Sequence, residues 1–588
     1  MASKQSDAER EESAFRWASS LGVRESDRGT VLRVYAPRAE SVSLVSSRNG
    51  WDPDADPMER MADGTWELLL PTERVPQGTL YKFAIRSGGR HFLKADPYAR
   101  ASEPRGGTAS AVFDPDRYVW RDVGWLAFRA DRYERSRAMG APLHVYRIEP
   151  DALKNQTCGN LEHLPNEIVP YVKQMGYTHV ELTRACGYQN SVGGYYAPTE
   201  AYGSPEQLMR LIDAFHEAGI GVLLEWSVTG FPKGEHGLSD FDGYALYEYA
   251  DPVQAEDAAH RYRRFDLSSP TVRAFLTDAA LFWVEKYHVD GFCFDDLSPT
   301  LYLDYGRKKG TWTPNEEGDS RSLFARDFFG AFNRTLAARH PDVITVARET
   351  TAWADVTRTE TNGLGFAFKE NSGWEEETRA FFSADRTERT VRRLVDPIGY
   401  AFSESHLLPL PRVSAEPSAL RLLFAFWITY PGKKLTPFGA ERRGDARLQY
   451  YAAALNQFYL SQPALWSCEE GDGFELLGDA EDGVLSYLRR DRSGKELLIL
   501  IHLRPERRDC YRQKTPRVGL YEEIFNTDAA EFGGTGCTNA RELIAESDPH
   551  VSKAGKRCGY LRVSLPPMGA VVLRSVENGK EPNQKTKK

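Results

Sequence analysis

The chain has 588 residues, of which 41% are hydrophobic and 27% charged, and its formal net charge at pH 7 is -9. This length exceeds what one hydrophobic core serves, so we expect two to four domains. The composition excludes a wholly disordered chain and a membrane-spanning protein, and the negative charge argues against binding to nucleic acid.

The ends of the chain and its cysteines indicate location and redox chemistry. Residues 1–12 are charged and lack the apolar segment of a secretion signal, which favours a cytoplasmic location. The seven cysteines are scattered without CxxC spacing, so the sequence predicts neither a disulfide framework nor a metal site. We expect disordered tails at residues 1–24 and 576–588, and the second tail is basic.

Residues 25–118 have the pattern of a small all-β domain. Four short segments alternate apolar with polar residues, at 31–35, 41–45, 65–69 and 81–85. Each is bounded by glycine, proline, asparagine or aspartate, which predicts an antiparallel sandwich.

Residues 119–445 alternate apolar strands with amphipathic helices. Ser204, followed by a proline and then by Gln207, predicts a capped helix start, and Gly219 predicts the end of that helix. An apolar strand follows at 220–225. A second unit, with a helix from Ser269 and a strand at 289–295, repeats this order. Such alternation over about 300 residues predicts a (β/α)8 barrel, so the fold class is α/β.

Residues 446–575 return to a β pattern after one helix near residues 450–460. Apolar segments at 484–488 and 496–502 predict strands. We therefore expect a C-terminal β-sandwich after the barrel.

Short motifs in all three regions point to one family. They lie at 34–37, 49–51 and 94–97, at 169–172, 176–182, 195–199, 241–243, 301–305 and 312–315, and at 525–528 and 531–534. On these motifs the chain resembles bacterial 1,4-α-glucan (glycogen) branching enzymes of the α-amylase superfamily, from about residue 31 to residue 573. The resemblance implies a starch-binding-type N-terminal sandwich, an α-glucan as partner, and no cofactor.

The resemblance also implies a retaining transfer of an α-1,4-linked glucan to a sugar 6-hydroxyl. That chemistry needs two carboxyl groups about 5 Å apart, one as nucleophile and one as acid/base. Asp295 aligns with the nucleophile, and a helix N-cap or a solvated strand end is its alternative role. Cys293 stands where the family has an orienting arginine, so we expect Asp295 to lack its cation.

The acid/base position is occupied by Arg348. Glu349, one residue later, is the remaining acid/base candidate, although side chains alternate faces along a strand and this shift predicts that it points away. Gly230, Arg412 and Val413 stand where the resemblance implies a sugar-contacting histidine, a second histidine and the third carboxylate.

Five residues are candidates for contact with a sugar. Glu225 and Trp226 lie at the end of the predicted third barrel strand. The ring of Tyr188 could stack on a sugar in the barrel, and those of Trp51 and Trp66 could do so in the N-terminal domain. Core packing is the more frequent role for tryptophans of a small sandwich.

These replacements together predict a catalytically impaired branching-enzyme-like protein that binds glycogen or a partner enzyme of glycogen metabolism. One alternative is an active branching enzyme in which Asp295 is the nucleophile and Glu349 or Glu225 the acid/base. Another is a carbohydrate-binding scaffold that acts through its N-terminal domain.

Overall fold

The computed structural model describes residues 17–133, 139–151, 162–186, 194–257, 261–360, 362–385, 388–442, 446–468, 471–477, 483–547 and 559–576.

The N-terminal domain consists of short strands along which buried and exposed residues alternate. The strands of the N-terminal domain are β1 Gly22–Ser26, β2 Gly29–Tyr35, β3 Ser41–Ser46, β4 Glu59–Arg60, β5 Thr65–Leu70, β6 Leu80–Ser87, β7 Arg90–Lys94, β8 Ala101–Ser102 and β9 Ser110–Ala111. They form two antiparallel sheets, in the orders β1–β2–β5–β4 and β3–β6–β9–β8, with β7 paired to β6. The predicted all-β domain and its four predicted strands are confirmed.

The predicted (β/α)8 barrel is confirmed as a closed barrel of eight strands in sequence order. Its strands are β10 His144–Ile148, β11 His179–Leu182, β12 Gly221–Trp226, β15 Gly291–Phe294, β16 Ile344–Arg348, β17 Phe368–Glu370, β18 His406–Pro409 and β19 Lys433–Pro437. Two further strands, β13 Gly230–Pro232 and β14 Tyr262–Arg264, form a separate antiparallel pair. Strands β12 and β15 are largely buried and mostly apolar on both faces, as expected where helices cover a parallel sheet.

The predicted start and end of the helix after Ser204 are confirmed. The helices are α1 Val123–Arg132, α2 Leu164–Met175, α3 Pro205–Glu217, α4 Pro252–Ala255, α5 Pro270–Tyr287, α6 Ser298–Leu301, α7 Leu323–Arg339, α8 Ser372–Ser383, α9 Val391–Val395, α10 Pro417–Thr429 and α11 Ala446–Ser461. At the start of α3, Ser204 and Gln207 form the predicted capping box. Gly219 follows α3 with φ +79°, the left-handed conformation that ends helices.

Contacts within the chain divide it into two compact units. The first comprises Met1–Arg135, Arg147–Tyr171 and His179–Lys369, and the second comprises Ser136–Tyr146, Val172–Thr178 and Glu370–Lys588. The domain boundaries inferred from the sequence remain predictions. In the part of the chain that the structure describes, no helix has the length and apolarity needed to cross a membrane.

The C-terminal region is the predicted all-β domain, an eight-stranded sheet in the order β20–β21–β22–β27–β24–β25–β26–β23. These strands are β20 Phe474–Leu476, β21 Val484–Arg490, β22 Glu496–His502, β23 Arg508–Thr515, β24 Gly519–Asn526, β25 Glu542–Ser547, β26 Gly559–Leu565 and β27 Gly569–Ser575. The motif at 525–534 has a structural role here. The Asp528 carboxylate accepts hydrogen bonds from the backbone of Thr535 and Cys537, and a side chain on Gly534 would meet the Asp528 carbonyl oxygen at 2.2 Å.

A buried ionic network lies where β15 begins. The Asp290 carboxylate, which is almost fully buried, accepts hydrogen bonds from Trp125 Nε1 at 2.8 Å, Arg129 Nη1 at 3.0 Å and His216 Nε2 at 3.0 Å. The other ring nitrogen of His216 contacts Asp122 at 2.8 Å. Burial opposes the charge on His216, but Asp290 and Asp122 outweigh it and raise the pKa of His216. Burial likewise opposes ionisation of Asp290, but His216 and Arg129 hold its pKa well below the usual range.

Replacing Asp290 by asparagine should destabilise the fold strongly, because Arg129 and His216 would keep buried positive charge without its main partner. We expect the free energy of unfolding to fall by about 3–5 kcal/mol, measured by urea denaturation. The control is Arg117→Gln, which breaks an exposed ion pair with Glu25 and should cost about 0–1 kcal/mol. Equal losses in the two variants would contradict a stabilising role for the Asp290 network.

Candidate active site

Four strands of the first unit carry charged side chains to the carboxyl end of the barrel. Glu181 and Glu225 lie near the ends of β11 and β12, Asp295 follows β15, and Arg348 is the last residue of β16. Because these strands are parallel and paired in this order, their carboxyl ends meet at one end of the barrel. That end is where barrel enzymes carry their chemistry.

Arg348 lies at the centre of this cluster. Its Nη1 donates a hydrogen bond to Asp295 Oδ1 at 2.9 Å and lies 3.6 Å from Glu225 Oε1. Its Nη2 lies 3.6 Å from Glu181 Oε1. A second cation, Arg147, donates from Nε to Glu181 Oε2 at 2.8 Å. One guanidinium group therefore faces three carboxylates.

The expectation that Cys293 leaves Asp295 without a cation is wrong. Cys293 is buried and pairs in register with Glu225 on β12 and Val346 on β16. Arg348 supplies the missing cation from the neighbouring strand, because the last residue of β16 points to the same end of the barrel as Asp295. The sequence contained a signal for this arrangement. The arginine that is missing at position 293 of β15 is matched by an arginine at position 348 of β16, the neighbouring strand.

Glu225 and Asp295 differ in their exposure to solvent. The side chain of Asp295 is 42% exposed, whereas Glu225 is largely buried and accepts a hydrogen bond from the Arg184 backbone N–H at 2.9 Å. Burial, followed by the charges of Glu181 and Asp295, raises the pKa of Glu225. Glu225 Oε1 lies 3.6 Å and Asp295 Oδ1 lies 2.9 Å from the same nitrogen, Arg348 Nη1. The distance between these two carboxylate oxygens therefore cannot exceed the sum of the two values. This range includes the separation of about 5 Å in retaining glycosidases.

Among the described residues, the Glu349 carboxylate binds Lys369 and Thr351 rather than the cluster around Arg348. It is almost fully buried, and it accepts hydrogen bonds from Lys369 Nζ at 2.7 Å and from the Thr351 backbone N–H at 2.6 Å. These hydrogen bonds hold the carboxylate in place against Lys369 and Thr351. The placement argues against Glu349 as the acid/base and agrees with the alternation of side chains along β16.

The structure corrects two of the candidate sugar platforms. Trp226 is fully buried, and its ring packs against Tyr195 and Phe292. Trp66 is 6% exposed and donates from Nε1 to the Ala36 carbonyl at 3.0 Å. Neither ring can be reached by a sugar, because each fills the core of its domain. Trp51, by contrast, is 41% exposed. Tyr188 lies outside the described residues.

Asp295 opens into a cavity of about 490 Å³, here called the Asp295 cavity. Its other walls include Asp296, Tyr262, Tyr305, Arg264 and Arg307. The Tyr305 hydroxyl donates to Asp296 Oδ2 at 3.2 Å. Sequence reasoning did not assign these walls, although Tyr305 belongs to the motif at 301–305. The Asp295 cavity brings tyrosine rings and charged side chains beside the exposed carboxylate, which suits a polyhydroxylated ligand.

Replacing Arg348 by glutamine should lower the melting temperature more at pH 7 than at pH 5. The loss at pH 7 should correspond to about 1–3 kcal/mol, because three carboxylates lose a shared charged donor. Without Arg348, which lowers the pKa of Glu225, that raised pKa should rise further. The folded state would then bind a proton that the unfolded state releases, so stability should recover as the pH falls.

Calorimetric melting of both proteins at the two pH values measures this effect. The matched control is Arg379→Gln, which breaks a partly exposed ion pair with Glu375 on α8 and should change little at either pH. The same loss at pH 5 and pH 7 would contradict an electrostatic role for Arg348.

Two parts of the chain match described domain families. Residues 20–99 match carbohydrate-binding module 48, the isoamylase N-terminal domain, and residues 477–576 match the alpha amylase C-terminal all-beta domain. Solved structures share the fold at low sequence identity. They include a putative alpha amylase from Salmonella typhimurium, with TM-score 0.64 and 16% identity over 95% of this chain and 100% of that chain. Pullulanase type I from Bacillus subtilis, complexed with maltose, has TM-score 0.68 and 15% identity over 95% of this chain and 85% of that chain.

Sequence relatives are much more similar than these structures. The 1,4-alpha-glucan branching enzyme GlgB of Rubrobacter xylanophilus is 37% identical over 602 residues, covering 93% of this chain and 81% of the relative. The branching enzyme GlgB of Dechloromonas aromatica is 34% identical and covers 94% of this chain and 96% of the relative. This similarity extends across the N-terminal domain, the barrel and the C-terminal domain, so the chain belongs to the 1,4-α-glucan branching enzyme family of glycoside hydrolase family 13.

Proposed function

We propose that this branching-enzyme-like protein of glycogen metabolism binds α-glucan but is catalytically impaired. The observation that carries the proposal is the hydrogen bond of 2.9 Å between Arg348 Nη1 and Asp295 Oδ1. An arginine stays protonated at any physiological pH and cannot cycle as an acid and a base. At this position it also binds one oxygen of the carboxylate that a retaining mechanism would use for attack on the sugar.

Several other positions support impaired turnover. The resemblance implies sugar-contacting histidines and a third carboxylate where this chain has Gly230, Arg412 and Val413. Loss of one proton-transfer group typically costs about 10²- to 10⁴-fold in rate, and here several catalytic groups are replaced together. The permanent charge of an arginine at position 348 stabilises the cluster of carboxylates. Proton transfer at that position would instead require a residue that can release its proton.

Glucan binding draws support from features that do not need turnover. The N-terminal region matches a carbohydrate-binding module, and Trp51 exposes an aromatic ring there. The relatives are named for action on 1,4-α-glucan, and one structural neighbour was solved with maltose. An aromatic face can stack on the apolar face of a pyranose ring. If the N-terminal domain alone binds the glucan, the protein is a carbohydrate-binding scaffold without a ligand in the barrel.

Glu225 supports a second candidate function, an active branching enzyme with a rearranged acid/base. Its raised pKa and its contact with the nitrogen that binds Asp295 are the properties required of a proton donor beside a nucleophile. In this alternative a substrate would have to displace Arg348 from Asp295. Asp295 would attack the anomeric carbon while Glu225 gives its proton to the leaving glycosidic oxygen. Glu225 would then take the proton of the acceptor 6-hydroxyl as that oxygen displaces Asp295.

A branching assay on amylose separates the two functions. We expect the purified chain to form no new α-1,6 linkages above background, because Arg348 cannot release a proton, while the Rubrobacter xylanophilus relative serves as the active reference. The assay counts α-1,6 linkages by proton NMR or by debranching. Formation of these linkages that is lost in Asp295→Asn would rule out the impaired reading, and parallel loss in Glu225→Gln would assign the acid/base role to Glu225.

Glycogen binding should depend on Trp51 and not directly on Trp66. We expect Trp51→Ala to weaken retention on glycogen beads by roughly 5- to 50-fold, because stacking on a sugar ring is lost. Trp66→Ala should lower the melting temperature, since it removes a core side chain. Retention is compared only for protein that remains folded, as judged by circular dichroism. Unchanged retention of Trp51→Ala would assign glucan binding to another surface.

A further inference from the structure

A second cavity adjoins the Asp295 cavity at the start of helix α7. This α7 cavity has a volume of about 370 Å³, and its walls include Trp312, Leu323 and Phe324. Arg264 and Arg307 line both cavities. The family resemblance assigns no role to these two arginines.

In the described part of the chain, Arg264 and Arg307 have backbone carbonyls as their hydrogen-bond acceptors. Arg264 is 9% exposed, and its hydrogen bond is donated by Nη2 to the Pro299 carbonyl at 2.8 Å. Arg307 donates to the carbonyl of Glu256. Within the described ranges, neither guanidinium group has a carboxylate at ion-pair distance. Burial lowers the pKa of Arg264, and the nearby charge of Arg307 lowers it further. A buried cation beside a half-buried one, each donating to a carbonyl group, favours a bound anion.

The aspartates across the Asp295 cavity do not supply this anion. Asp295 is hydrogen-bonded to Arg348, and Asp296 accepts from the Ser298 backbone and from Tyr305. Their carboxylates are therefore engaged with other groups. Two acidic residues also line the α7 cavity: Asp327 is paired with Arg326 at 3.0 Å, and Glu316 is exposed. Neither is at ion-pair distance from Arg264 or Arg307 in the described part of the chain.

The start of helix α7 adds positive potential to the same wall. This helix has 17 residues, and no acidic residue lies in its first turn. The Ser322 hydroxyl accepts the Ala325 N–H. Leu323 and Phe324, the first two residues of α7, line the cavity, and N–H groups at these positions have no intrahelical acceptor. Free N–H groups and the helix dipole make such an end a favourable place for an anion.

The remaining wall is aromatic. Trp312, Tyr249 and Phe324 line the α7 cavity, and Phe324 is half exposed. We propose that the α7 cavity binds a phosphorylated sugar, with the phosphate between Arg264, Arg307 and the start of α7. The sugar ring lies against Trp312, because aromatic faces stack on the C–H face of a pyranose. This site is separate from turnover at Asp295 and does not rest on the proposed function.

Calorimetric titration of the full chain with inorganic phosphate, glucose 6-phosphate and glucose tests the proposal. We expect glucose 6-phosphate to bind more tightly than inorganic phosphate, and glucose to bind at least tenfold more weakly than glucose 6-phosphate, because a charge-assisted contact is lost. Arg264→Gln and Arg307→Gln should each weaken both phosphate ligands about tenfold or more. Trp312→Ala should weaken glucose 6-phosphate and leave inorganic phosphate unchanged.

Arg261→Gln is the matched control, since Arg261 is an exposed arginine that lines the Asp295 cavity but not the α7 cavity. It should change either affinity by less than about twofold. If the buried Arg264 variant does not fold, the half-buried Arg307 variant decides the result. Wild-type phosphate affinity in Arg307→Gln, or an equal loss in Arg261→Gln, would overturn the anion site. Wild-type affinity of Trp312→Ala for glucose 6-phosphate would overturn the position of the sugar ring.

Discussion

The Arg348 guanidinium group controls the charged end of the barrel. Carboxylates from three neighbouring strands approach one another there, and their mutual repulsion must be compensated for the strand ends to stay together. Arg348 reaches all three from the fourth strand. The same residue occupies the position where the family resemblance implies the proton donor.

Strand β15 shows how differently the two ends of the barrel use charge. At its beginning, Asp290 is buried and surrounded by donors from Trp125, Arg129 and His216, so it fixes neighbouring elements in place. At its other end, Asp295 is nearly half exposed and opens into a cavity. The apolar residues between them are buried and hold the two ends apart. Stability and ligand access are thus separated along one short strand, as in other barrels.

Positive charge extends from the cluster around Arg348 into the two adjoining cavities. Arg348 is compensated by acidic partners, whereas Arg264 and Arg307 donate to carbonyl groups. Arg348 thus lies in a cluster that neutralises its own charge, whereas Arg264 and Arg307 lie on the wall that we propose binds an anion. The chain has the architecture of the branching enzyme family, with an arginine where three carboxylates meet at the end of its barrel.

The sequence by itself determined the elements of the fold and the replacements at the site. Local patterns sufficed for the Ser204 capping box and the alternating strands, and strand alternation predicted that Glu349 would point away from Asp295. Only the tertiary structure decided which groups meet: it paired Arg348 with Asp295, bound Glu349 to Lys369, and buried Trp226. The physical reason is range, because turn chemistry and periodicity act over a few neighbouring residues. Ion pairs and core packing join residues that are distant in sequence, and they depend on how the strands are arranged around the barrel.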